Sequence, residues 1–489
     1  MKKIISIALA LLMVAVMLPV MAMAADTLPD PDANGVITLN SDLTVSTYVV
    51  KDNDNVIIDL GGKTLTIGYF DVYNGGSLTL KNGNVKGTIW IYGGKTATTK
   101  VTIESDVVMT ANNCVILEGG VNAKTNDAYP EDQVTENGTY GKSEINIAGT
   151  LTGTQSCVWV MGNLGDSTDA INAMNGKTDN IVNIKSTARF TAGVDAAVMM
   201  GWATMNIENG AVINGANSAV FAKRGQLNIN GGTFTANGTS ITSPDPEANG
   251  NGAEENIGAA VAVTSTYNYS GDIEVNINGG TFTSTQGNAV YVGHTRNKSN
   301  NNNPYKNGVD VNITGGNFVS APGKQAVLIQ ESVDDDASSY ADNRANAVAG
   351  GTFNTEVTDY VGENTLVVEN NGKYYVGEDA KNAVENATSG TFTVVRAVPG
   401  EGVEFEKVTP GVTVKNGTDE KVTVNGNEVK PGATYTVPGA PIIIYPPTED
   451  TPKANDQKNP GTGANDFVGV AAAMAVVSLL GAAAVIRKK

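Results

Sequence analysis

The chain has 489 residues with 56 Gly, 6% aromatic and 17% charged residues, and Gly, Asn, Thr and Val set its character. That composition excludes helical bundles and coiled coils and predicts an all-β fold of short strands and tight turns. The 32 basic and 50 acidic residues leave a charge of -18, which excludes nucleic acid held by counterion release, while one His (His294) and two Cys exclude a zinc ribbon and a disulfide-dense scaffold.

Lys2 and Lys3 precede an apolar run from Ile4 to Val20, and Ala22, Met23 and Ala24 form a small-x-small cleavage pattern. Residues 1–24 therefore read as a signal peptide, and the protein is expected to be secreted. From residue 25 onward short strand patterns begin: Val36-Ile37-Thr38-Leu39, Val56-Ile57-Ile58-Asp59-Leu60 with Gly61-Gly62-Lys63-Thr64-Leu65-Thr66, and Gly75-Gly76-Ser77-Leu78-Thr79-Leu80.

A repeat then emerges. Its first unit is apolar-Asn-apolar, centred on Asn146, Asn183, Asn206, Asn228, Asn276 and Asn312, with Val101-Thr102-Ile103 as an early variant. Several copies continue into Gly-Gly-x-Phe, ending at Phe234, Phe282, Phe318 and Phe353. The second unit is small-Val: Cys114-Val115, Cys157-Val158, Ala197-Val198, Ala219-Val220, Ala260-Val261, Ala289-Val290 and Ala326-Val327. Where nothing is inserted, Ile184, Ile207 and Ile229 follow one another at spacings of 23 and 22 residues. Period-2 alternation within a unit and a supersecondary period between units predict a parallel β-helix over residues 25–358, each coil pairing with the next at about 4.8 Å. The Asn side chains should point outward and bond to one another as a ladder, and the consecutive Gly residues should mark corners at positive φ. The strings DLGGKTLT and GGSLTLKNG resemble the pectate-lyase-like right-handed β-helix of Gram-positive surface proteins. That resemblance implies a fold and no particular chemistry.

In the small-Val strands the alternation places Val and the residue two after it inward. The small residue and the one after Val then face outward. The outward set includes Trp159, Met199, Phe221 and Tyr291, with Trp202 nearby, and it forms a candidate apolar stripe able to stack on sugar rings or seat a protein, unless insertions cover it. Insertions at Gly119–Lys142, Asn163–Thr178, His294–Asn307 and Glu331–Asn346 leave soon after these strands, so the looped edge is where function is expected. Cys114 and Cys157 fall in one column of neighbouring coils. A bridge between them and a pair of stacked small thiols both fit the spacing, the second slightly better.

No catalytic residue is assigned. Of the six Arg, Arg189, Arg224, Arg296, Arg344 and Arg396 sit in unrelated positions, the aligned outward columns offer no Asp or Glu on two neighbouring coils, and polygalacturonase-type acid strings are absent. His294 reads as a loop residue. Asp334-Asp335-Asp336 reads as a solvated loop, a structural calcium being the other reading, so no metal residue and no cofactor is assigned.

Residues 359–440 predict a small β-rich module with one short helix near Asp379–Ala387 and a hairpin turn at Asn425-Gly426, placed to cap the open sheet edge. The Pro-rich stretch 441–458 reads as an extended spacer. Residues 459–489 then combine Asn459-Pro460-Gly461-Thr462-Gly463, an apolar span from Phe467 to Ile486 long enough for a transmembrane helix, and Arg487-Lys488-Lys489. This order resembles the sorting signal of Gram-positive wall-anchored proteins, with Asn459 where the common motif has Leu. It implies cleavage by a sortase after Thr462 and attachment of Thr462 to peptidoglycan. The leading expectation is a non-enzymatic surface adhesin or display protein in a Gram-positive cell wall, engaging glycans or host proteins. The alternatives are a carbohydrate-binding module for polysaccharide capture and, behind it, a polysaccharide lyase or glycoside hydrolase.

Overall fold

The computed structural model describes residues 27–439, except 52, 74, 93–96, 119–141, 162–179, 239–257, 266–271, 295–307, 331–340 and 342. The signal peptide, spacer, sorting motif, apolar C-terminal span and Asp334–Asp336 lie outside the described residues. Among the described residues no helix is long and apolar enough to cross a membrane.

The protein is mostly β, with parallel sheets. Ten strands form the first ladder, from Val36–Thr38 and Asn55–Asp59 through Asn180–Ile184, Thr204–Ile207 and Gly225–Ile229 to Val309–Ile313, and every neighbour in space is the next member in sequence. Two more ladders run beside it. In the early turns one long strand serves both, as in Thr64–Val72, Gly83–Tyr92, Val107–Glu118 and Thr150–Val160. After Val160 they separate. The second ladder continues through Arg189–Ala192, Val212–Gly215, Thr233–Ala236, Thr281–Ser284, Asn317–Val319 and Gly351–Phe353. The third continues through Val198–Met200, Val220–Ala222, Val261–Ser265, Val290–His294 and Val327–Ile329.

The repeat columns take the register expected of them. Asn183 pairs with Asn146 and Asn206, Asn228 with Asn206 and Asn276, and Asn276 with Asn312. Their amides donate from Nδ2 to the preceding Oδ1 at 2.9–3.0 Å from Asn183 to Asn312. Asn343 closes the series, donating to Asn312 at 2.9 Å. Val, Ile, Leu and Met on either side of each Asn are buried in one continuous core. In the second ladder the rings of Phe234, Phe282, Phe318 and Phe353 stack at centroid spacings of 4.7, 4.7 and 4.9 Å. That stack explains the paired glycines. Gly316 has φ 120°, and a Cβ there would meet the Phe318 ring at 3.1 Å and the Gly280 carbonyl at 3.2 Å, so the ring folds back over a residue with no side chain.

One expected orientation is corrected. The small residues Cys114, Cys157, Ala197, Ala219, Ala260, Ala289 and Ala326 face the core, fully buried, and do not face outward. The corner that precedes them breaks the alternation. The register shifts between Gly153 and Ser156, and a Cβ on Gly153 would lie 2.0 Å from the Ser156 carbonyl. Two consecutive residues after such a bend turn inward, and the first must be small. The two cysteines are free and buried. Each thiol donates to a backbone carbonyl of the next turn, Cys114 to Thr152 at 3.3 Å and Cys157 to Thr191 at 3.2 Å.

Gly351–Phe353, the last strand of the second ladder, is covered by the antiparallel strand Lys373–Val376, which ends the parallel series. Beyond it a second core gathers Phe392, Phe405, Val412, Val414, Val422 and Val424. Helix α1, Glu378–Glu385, packs Ala380 and Val384 into that core, and Val422–Val424 turns through Asn425 (φ 49°) and Gly426 (φ 77°) into Asn427–Val429, the expected hairpin.

Candidate functional site

The outer face of the third ladder is where side chains of chemical interest align. In register, one outward column runs Val49, Asp71, Trp90, Ile116, Trp159, Met199, Phe221, Ala262, Tyr291 and Leu328. The apolar stripe read from the repeat is the later part of this column, and it is contiguous. Its surroundings differ from an open groove. Met199 is 7% exposed, Phe221 2% and Tyr291 8%, and they pack with Ala196, Ala259 and Ala262 into a separate small core against which Trp159 and Leu328 lie partly buried. Rings withdrawn from water in this way stabilise the fold and cannot stack on a sugar without rearrangement. Trp202 stands off the column. It is 2% exposed, and the Arg224 guanidinium lies 3.7 Å from its ring centroid.

The earlier part of the column is different. Period-2 alternation in Thr64–Val72 buries Phe70 and Val72 and turns out Tyr69 and Asp71, with Tyr73 next on the same face. Gly83–Tyr92 likewise buries Ile89 and Ile91 and turns out Trp90 and Tyr92. Tyr69 is 44% exposed, and Asp71, Tyr73, Trp90 and Tyr92 are half-buried. Trp90 and Tyr92 lie nearly parallel, 16° apart with centroids at 6.3 Å, and Tyr73 meets Tyr92 edge-on at 6.3 Å and 78°. Glu118, opposite Tyr92 on the next turn and only 8% exposed, accepts the Trp90 Nε1 hydrogen bond at 2.8 Å.

Two shifts report the electrostatics of this face. Desolvation raises the Asp71 carboxyl above its ordinary value. The Tyr92 phenol is raised strongly, first by desolvation and then by the negative charges of Asp71 and Glu118. Here two carboxylates and four aromatic rings share a partly dried surface. A search for acids on neighbouring turns of one column passes over them, because Asp71 and Glu118 are two turns apart and in adjacent columns. The signal was present in Tyr69-x-Asp71-x-Tyr73 and Trp90-x-Tyr92, two period-2 runs that pair at a spacing of 19 residues, shorter than the 22-residue repeat because the register shifts between Thr66 and Tyr69.

Among the described residues no group of three or more His, Cys, Asp or Glu is placed to hold a metal. His294 ends a third-ladder strand at the start of an insertion. Compared with protein-family models, curated proteins and solved structures, the chain matches none.

Proposed function

We propose that this chain is an exported, non-enzymatic display protein, fixed to a Gram-positive cell wall through Thr462, whose ladders form a parallel β-helix that presents one looped edge to glycans or proteins of other surfaces. The observation that carries this reading is where length variation occurs. From the first ladder to the second, the chain crosses in two to four residues at every turn from Ile147 to Asn317. From the third ladder back to the first it crosses in three residues after Met200, two after Ala222, 14 after His294 and 24 after Glu118. The second-to-third corner takes one insertion, 24 residues after Ala236, while the third-to-first corner takes several, and a scaffold that admits insertions mainly at one corner and none at the first-to-second corner concentrates its variable surface there. Wall attachment rests on the sorting-signal resemblance of Asn459, Pro460, Gly461, Thr462 and Gly463.

Replacing residues 119–141 with a three-residue turn tests the display reading, since Met200 to Thr204 closes the same corner at that length. The shortened protein should keep its β-sheet circular dichroism and lose adhesion to mucin- or host-cell-coated surfaces. Unchanged adhesion in this variant and in the matching 162–179 and 295–307 variants overturns it. Attachment is read separately: Thr462→Ala should move the protein from the lysozyme-released wall fraction to the membrane and medium.

A further inference from the structure

The aromatic and acidic face on the early turns of the third ladder is not accounted for by scaffolding. In its later part this column is filled by residues that pack away from water, as at Phe221 and Tyr291. Here the fold instead keeps Tyr69 at 44% exposure and places Asp71 next to Trp90 in register, with Tyr92 next to Glu118. From this arrangement we infer a binding site for an organic ammonium group carried on an apolar stem, formed by Tyr69, Asp71, Tyr73, Trp90, Tyr92 and Glu118.

The chemistry selects that ligand class. Electron-rich ring faces attract a cation, and the attraction grows where water is thinned. Two carboxylates on the same surface add a charge complement, and the whole chain, at -18, draws cations toward it and repels uronic, sialic or phosphorylated ligands. Glu118 is anchored by the Trp90 indole N–H, which fixes the ring and the carboxylate relative to each other. Asp71 is desolvated, so a bound cation would offset the cost of keeping it ionised. An uncharged ligand of the same shape gains the apolar contact without either electrostatic contribution.

The site does not depend on wall attachment, and Glu118 borders the 119–141 insertion, so it is tested on the chain ending before the sorting motif with the insertions intact. Trp and Tyr fluorescence is titrated with choline and, in parallel, with 3,3-dimethylbutan-1-ol, its uncharged carbon isostere. Choline should bind at least about tenfold more tightly than the isostere. Asp71→Asn and Trp90→Leu should each remove most of that preference, and added salt should weaken choline binding. Thermal melts of the same variants show whether they remain folded. If Trp90→Leu unfolds, Asp71→Asn alone decides. Equal binding of the two probes, saturation by neutral methyl glycosides instead, or no response at millimolar choline overturns the inference. Loss of adhesion in the loop-shortened proteins with choline binding intact would leave both readings standing as separate properties.

Discussion

Along the third ladder the outward column passes from Asp71 and Trp90 to Phe221 and Tyr291 without losing register, yet the two ends behave as different materials. At Phe221 the outward side chain joins a second small core with Met199, Ala262 and Tyr291, so the sheet is buried on both faces. At Trp90 the same position is half-open and surrounded by Asp71, Tyr92 and Glu118. Register fixes which residues share a column, but what lies over the column decides whether they are core or surface. The first ladder changes in parallel: the column holding Asn146 to Asn312 is occupied by Ile57, Thr79 and Thr102 in the early turns. The early turns therefore lack both the amide ladder and the second core.

The largest break in this contrast is expected from truncating the equivalent aromatic at each end. Phe221→Ala removes a ring from a site 2% exposed and should cost about 3–5 kcal/mol, while Trp90→Ala, at a half-open position, should cost well under half of that. Urea unfolding of the two variants measures the difference. Similar losses would mean that the early face is packed as tightly as the late one.

Next in size is the amide ladder. Asn206→Ala leaves Asn183 Oδ1 without its donor and Asn228 Nδ2 without its acceptor, and should destabilise by about 1–2 kcal/mol. Thr102→Asn works in the other direction. Thr102 is the register partner of Asn146, so a new amide there should extend the ladder by one rung and raise the unfolding midpoint modestly, by about 0.5–1 kcal/mol. If Thr102→Asn is neutral or destabilising, the early turns do not simply lack a rung, and their geometry in that column differs from that of the later ones.

The cysteines report on the boundary between the two regions. Burial, with the negative charge of a neighbouring thiolate as a second contribution, raises Cys114 strongly, and burial pushes Cys157 up to about 12. Both should resist a thiol-specific reagent at neutral pH in the folded protein and react together on global unfolding. Labelling of Cys114 alone under native conditions would show that the early turns open independently of the later ones.

The repeat made the parallel pairing and the Asn ladder legible, because both depend on local alternation and a fixed period, and the Asn425-Gly426 hairpin was legible from its turn residues alone. Three features were not legible. The inward turn of Ala219 and its equivalents depends on the corner before them, where Gly215 would carry a Cβ only 1.6 Å from the Ser218 carbonyl, a close approach that alternation alone does not predict. The burial of Phe221 and Tyr291 depends on what packs over the sheet, and a period-2 pattern cannot distinguish water from a second layer. The Asp71 and Glu118 pair was missed for a third reason: its members lie on different turns in adjacent columns, a relationship that appears only once both registers are known.

The smallest expected effect is also the most specific to the early turns. Asp71 is raised by desolvation, so its folded-state value lies above the unfolded one, and the native state holds its proton more tightly. Below the ordinary aspartate value of 3.8 the carboxyl is neutral in both states and costs nothing. As pH rises past that value toward the raised one, ionisation is easier in the unfolded chain, and a penalty grows that is complete above the raised value. Asp71→Asn removes the ionisation and should therefore raise the melting temperature slightly at neutral pH, with the gain vanishing in acid. The Tyr92 phenol on the same face is raised well above its ordinary value and stays uncharged over that range. The opposite sign, with wild type more stable than Asp71→Asn at neutral pH, would mean that a cation already compensates Asp71 in the free protein.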